Sequence, residues 1–125
     1  MNKARLISIV DDDAALRMSI DNLIRSAGFR AKGFASAESF LRSPDRQETS
    51  CLILDVRMPH MTHMNGLELQ RHIVEAKWNI PIIFKTSFAD EAVREEAMAA
   101  GAIEFLHKPF AEDKIINAVQ KALHP

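Results

Sequence analysis

The chain has a single cysteine, Cys51, among its 125 residues, so no internal disulfide can form. This argues against a disulfide scaffold or a zinc module and makes a reducing cytoplasm the expected compartment. Net charge is almost absent: 16 basic and 17 acidic residues leave -1, with a sequence pI of about 6.5. Neither a basic stripe nor basic residues interleaved with aromatics is present, which argues against direct nucleic-acid binding. Long hydrophobic runs are missing too; none approaches the roughly 18 residues a membrane span needs. The apolar stretch LISIV after Lys3 and Arg5 is too short for a signal-peptide core and runs into three aspartates. The chain also lacks repeats, low-complexity tracts and linkers. What remains is globular composition, 47% hydrophobic and 26% charged, at a length suited to one domain.

The period of the apolar residues alternates between strand-like and helix-like. Strands are expected at Leu6 to Val10, Phe29 to Phe34, Cys51 to Leu54, Ile80 to Phe84 and Ala102 to Leu106. Between them, Leu16, Ile20, Leu23 and Ile24 predict a helix stopped by Gly28, and Ser36 with Glu38 predicts a short capped one. Asn65 three residues before Glu68 marks a third helix, expected to bury Leu69, Ile73 and Ala76. Asp90 caps a fourth that ends at Gly101, and a fifth is expected to bury Ile115, Ile116, Val119 and Leu123. Five strands alternating with five helices predict an α/β domain with a mostly parallel sheet covered on both faces.

Ligands of such sheets bind beyond the carboxyl ends of the strands. The first strand ends in Asp11, Asp12 and Asp13, and the third in Asp55. The fourth ends in Thr86 and Ser87, and the fifth leads into Lys108 and Pro109. Acids, a hydroxyl and a lysine on one rim suit a hard cation and a phosphoryl group. Each has a bland reading alone: a solvated turn, a strand end, a surface charge. Their coincidence at successive strand ends is what points to a site. Asp13 is better suited to capping the first helix than to metal binding.

IVDDD, LILDVRMP, Thr86-Ser87 and HKPF resemble the receiver domain of bacterial two-component response regulators. FASAESFL, Gly66-Leu67-Glu68-Leu69 and Ala99-Ala100-Gly101-Ala102 are most similar to receivers that precede a helix-turn-helix output domain. The resemblance runs from Leu6 to Leu123 and implies one receiver domain over residues 1–125. It implies a flavodoxin-like doubly wound sheet of five parallel strands in order 2-1-3-4-5. It makes Asp55 the phosphoacceptor, with Mg²⁺ on Asp12, Asp55 and the backbone carbonyl of Arg57, and Asp11 helping through water. Thr86 and Lys108 would bind the phosphoryl group, Phe105 would be the aromatic partner of the threonine switch, and the bond before Pro109 would be cis. The implied partners are a sensor histidine kinase and a second copy of the chain on phosphorylation, and the implied output is control of transcription. The domain would act on itself, promoting its own phosphorylation and slow dephosphorylation, rather than be an enzyme for outside substrates.

Three features depart from the family pattern. The stretch from His60 to Asn65 is three residues longer than usual before Gly66, a tolerable loop insertion. Its His-Met repeats would need a rigid geometry to bind a soft metal. Lys85 stands where an aliphatic residue is usual, so its stem is expected to pack while its head reaches solvent or an acid. Arg57 and Phe88 flank the site and are placed to shield it from water, which implies slow hydrolysis. Cys51 and Trp78 read as packing residues.

An enzyme is the main rival. Asp11 and Asp13 also resemble the D-x-D start of haloacid-dehalogenase-type phosphatases, with Asp11 as nucleophile. That reading accounts for neither D-x-x-M-P nor the short chain. A flavodoxin-like nucleotide module would need a phosphate-cradling loop after the first strand, where this chain has three acids.

Overall fold

Short β-branched runs become the central strands because they are buried on both faces, and the intervening periodic segments supply the covers. The computed structural model describes residues 4–56, 64–86, 90–107 and 111–124. The strands are β1 (Leu6–Val10), β2 (Arg30–Phe34), β3 (Thr49–Asp55), β4 (Ile82–Thr86) and β5 (Glu104–His107). The helices are α1 (Ala14–Ser26), α2 (Ala37–Arg42), α3 (Gly66–Ala76), α4 (Glu91–Ala99) and α5 (Glu112–Leu123), with a 3-10 turn over Pro44–Glu48. All pairings are parallel and the strand order is β2-β1-β3-β4-β5, as expected for the doubly wound fold.

Strand alternation divides the core into two layers. Ile7, Ile9, Cys51, Ile53 and Ile83 face α1 and α5, where Ile20, Ile24, Ile115 and Val119 cover them. Val10, Leu52, Leu54, Ile82 and Phe84 face the opposite way, against Phe40 of α2, Leu69 and Ile73 of α3 and Ala97 of α4. Across that second layer the buried Gln70 amide donates to the Ala97 carbonyl at 2.9 Å and ties α3 to α4. Inside the sheet, the Ser8 and Thr49 hydroxyls meet at 2.6 Å and Thr49 donates on to the Asp45 carbonyl at 2.9 Å.

The caps fall where their residue types demand. Asp13 accepts from the backbone of Ala15 and Leu16, Ser36 from Ser39, and Asp90 from Ala92 and Val93. Asn65 and Glu68 form a reciprocal capping box. Gly28 and Gly101 take positive φ just beyond α1 and α4, where a side chain would be strained.

Several expectations shift. β4 starts at Ile82 because Pro81 cannot donate to the ladder, although its carbonyl accepts from Leu52 at 2.9 Å. β5 is Glu104–His107, two residues later at its start than the apolar run. Leu16 lies in α1, as its helical spacing predicts, and is exposed in the first turn after Asp13. Ala76 is exposed as well: α3 ends there, Lys77 turns the chain in the left-handed conformation, and Gln70 completes the buried row. Ile116 is only half-buried, whereas Ala118 and Ala122 join the buried face of α5.

Candidate functional site: an acidic edge with a buried lysine

The rows that face α1 and α5 each end in a charged residue. Ile7 and Ile9 lead to Asp11, Cys51 and Ile53 to Asp55, and Ile83 to Lys85, two residues further on each time. Parity therefore turns these three side chains toward one layer. The register sets Asp55 directly opposite Lys85 on neighbouring strands.

Asp11 is fully buried and anchored on every side. Its backbone N–H donates to the Phe34 carbonyl at 3.1 Å, and its own carbonyl accepts from the Arg17 guanidinium at 2.6 Å. One carboxylate oxygen accepts from the Asp13 N–H at 2.9 Å, and the other pairs with the Lys85 ammonium. The Arg17 stem packs closely over Gly33, where a Cβ would lie 2.9 Å from it.

Lys85 is the residue whose role the sequence left open. Its side chain is 0% exposed, and its ammonium contacts Asp11 and lies 3.7 Å from Asp55 Oδ2. Of the two anticipated destinations for its head, solvent and an acid, the acid is the one found. The signal was in the sequence: Lys85 shares the parity of Ile83 and Asp55.

Asp55 keeps 13% of its side chain exposed, so its carboxylate is at the rim of a buried charged cluster. Behind it, the Gly66 N–H donates to the Val56 carbonyl at 3.1 Å, and a Cβ on Gly66 would lie 2.2 Å from the Asp55 carbonyl oxygen. The first residue of α3 is thus glycine because the helix abuts the backbone of the acidic strand end. Asp12 is half-buried and Asp13 exposed, the latter occupied as the cap of α1.

Thr86 follows Lys85 and so turns to the opposite layer; it is buried, in the row of Ile82 and Phe84. Phe105 is half-buried in that same layer, its ring centroid 6.0 Å from that of Phe84. Arg57, Phe88, Lys108 and Pro109, together with the 60–63 part of the long loop, lie outside the described residues. Cys51 is buried in β3, where desolvation pushes its thiol up from 9.0 to about 12, partly opposed by a backbone hydrogen bond from Leu52. Trp78 packs, as expected, under the Arg46 guanidinium at 4.1 Å and beside His72.

Among the described residues no three His, Cys, Asp or Glu side chains gather closely enough to hold an ion by themselves. Mg²⁺ does not require that, since it commonly takes one or two carboxylates and fills its shell with water and phosphate oxygens. Asp12 and Asp55 supply such hard oxygen donors, and the donor set fits the ion. A shallow cleft of about 390 Å³ lined by Gln70, Val74, Asn79 and Gly101 lies at the other end of β4 and presents no comparable chemistry.

Comparison with known proteins identifies the family. Residues 7–120 match the family model of the response regulator receiver domain. The response regulator protein TmoT of Ectopseudomonas mendocina is 44% identical over 118 residues, 94% of this chain and 52% of TmoT. The transcriptional regulatory protein FixJ of Rhizobium meliloti is 39% identical over 116 residues, 93% of this chain and 55% of FixJ. The crystal structure of FixJ-N superposes with a TM-score of 0.85 at 38% identity, covering 99% of this chain and 98% of that one. The chain belongs to the response regulator receiver family. It spans about half the length of the curated relatives it matches.

Proposed function

We propose that this domain takes a phosphoryl group from the phosphohistidine of a sensor histidine kinase onto Asp55, and that the modified state controls transcription. The observation that carries the reading is the placement of Asp55: a partly exposed carboxylate at a strand end, flanked by a buried Asp11–Lys85 pair. In the transfer, an Asp55 carboxylate oxygen forms a bond to phosphorus. The phosphorus–nitrogen bond of the kinase histidine breaks, and its electron pair stays on the imidazole. The nucleophile needs no deprotonation, so charge neutralisation around the phosphoryl oxygens is the main demand. Asp12 and Asp55 would hold Mg²⁺, with the carbonyl of Arg57 as a third ligand; when bound, the ion offsets the charge of the phosphoryl oxygens. By resemblance Lys108 adds a fixed positive charge and Pro109 sets the chain beside it through a cis bond.

Thr86 and Phe105 carry the change outward. Both belong to the layer that faces α3 and α4. A threonine drawn toward the phosphoryl group vacates room for the half-buried ring, which alters the α4–β5–α5 face and favours a homodimer. Two states of that face interact differently with the phosphoryl group, and that difference sets the size of the shift. The output would lie in a longer protein of the kind TmoT and FixJ represent, working in the cytoplasm.

Incubation with Mg²⁺ and a small acyl-phosphate donor is expected to add one phosphoryl group, labile to hydroxylamine, by intact-protein mass spectrometry. Asp55→Asn is expected to abolish it with the fold retained. Persistent modification in that variant would overturn the reading, and its loss from Asp11→Asn at the same time would move the acceptor to Asp11. The switch is tested by light scattering with a stable phosphoryl mimic, where an unchanged mass refutes dimerisation.

A further inference from the structure

We propose that Lys85 is a built-in counter-ion of the phosphorylation site, occupying charge that Mg²⁺ would otherwise neutralise and so lowering the affinity of the unphosphorylated domain for the metal. The proposal rests on the reading of Asp55 and Asp12 as metal ligands.

Three observations support it. The Lys85 ammonium contacts one acid of the cluster and is 3.7 Å from the carboxylate of another, so it lies between Asp11 and Asp55 rather than beside them. The side chain is completely buried, so solvent does not screen its charge from the carboxylates. Packing alone does not account for a lysine here. The positions of the same parity on β3 and β4, Ile53 and Ile83, are aliphatic, and a third aliphatic residue would extend the row without desolvating a charge. An ammonium at this point is justified by what it meets.

The consequence follows from charge. Lys85 adds to this edge one positive charge that an aliphatic residue would not. A dication entering this edge is repelled by that ammonium. Even at the dielectric constant of water, a unit charge a few ångströms from a dication changes affinity by about tenfold or more. Lys85 also holds Asp11 in a direct ion pair, so that carboxylate is committed to the protein rather than to a water of the metal's shell. When Asp55 receives the phosphoryl group, new anionic oxygens appear within reach of the same edge and outweigh the single ammonium. Lys85 therefore offsets part of the resting site's attraction for a cation, and phosphorylation adds anionic charge that works against it.

The test measures Mg²⁺ binding to the unphosphorylated chain by titration calorimetry, with magnesium chloride at constant ionic strength. Lys85→Met keeps the apolar stem and removes the charge; it is expected to bind Mg²⁺ at least about tenfold more tightly than wild type. Because this variant exposes Asp11 to an unbalanced environment, a second pair covers a failure to fold. Asp11→Asn/Lys85→Met, which removes both partners, is expected to bind at least about tenfold more tightly than Asp11→Asn. Equal or weaker binding in the Lys85-deficient member of either folded pair overturns the proposal, as does undetectable Mg²⁺ binding throughout. Acyl-phosphate labelling of the same proteins separates the two readings. Labelling lost in Asp55→Asn sustains Asp55 as acceptor even where the metal titrations refute the role of Lys85.

Discussion

Replacing Gly66 with alanine tests whether α3 and the acidic end of β3 are packed as tightly as the backbone geometry indicates. Helix propensity alone predicts a gain, since alanine exceeds glycine by up to about 1 kcal/mol in a helix. Space predicts the reverse. The added Cβ would sit 2.2 Å from the Asp55 carbonyl oxygen and 3.0 Å from Val56 Cα, whereas ordinary contact begins near 3.4 Å. About 1.2 Å of separation must be found against the oxygen, close to the rise of one helical residue. The neighbouring atoms are backbone, so no side chain can rotate away. Either α3 retreats and loosens Leu69 and Ile73, or the end of β3 moves and carries Asp55 with it. Overpacking of this kind costs about 1–3 kcal/mol, and the severity here points to the upper end. After the propensity gain, the net loss is about 2 kcal/mol. For 125 residues the unfolding entropy is roughly 0.26 kcal/mol/K, so Tm is expected to fall by about 8 °C. Circular dichroism melting and urea titration measure the stability, and acyl-phosphate labelling reports the displaced carboxylate. A Tm equal to or above wild type would refute the steric argument.

Two further outcomes follow from buried groups remote from the acidic edge. Thr49 donates to the Asp45 carbonyl and must therefore accept from Ser8. Thr49→Val strands a buried hydroxyl donor and is expected to cost about 2 kcal/mol, whereas Ser8→Ala leaves only a spare lone pair and costs about 1 kcal/mol or less. Equal urea midpoints would reverse the donor assignment. Burial raises the Cys51 thiol from 9.0 to about 12, so between those values the folded chain keeps a proton that the unfolded chain releases. Its contribution is complete below pH 9 and declines as pH rises toward 12, at up to about 1.4 kcal/mol per pH unit. The stability advantage of wild type over Cys51→Ala is expected to shrink across that range, and a pH-independent difference would contradict it.

Much of this was legible before any coordinates. The strands are legible to within two residues at their starts because a sheet covered on both faces needs short apolar runs, and Asp13, Ser36, Asn65 and Asp90 announce their helices through side chains that can accept orphan N–H groups. The end of α3 was misread because helical spacing marks Ala76 as inward without saying where the helix stops. In the acidic edge, the list of strand-end residues was readable, but not the partner of Lys85. Which acid it meets depends on the pairing register of β3 with β4, and register is a property of two segments together.

Lys85 and Thr86 are neighbours in the chain yet look into different halves of the protein, one toward α1 and α5, the other toward α3 and α4. One strand end is therefore a two-channel device. On the reading proposed above, one channel bears on how strongly the resting site favours a cation, and the other on how far an event at the site is felt at the α4–β5–α5 face. On that reading, sensitivity and output gain are open to separate single-residue changes at adjacent codons.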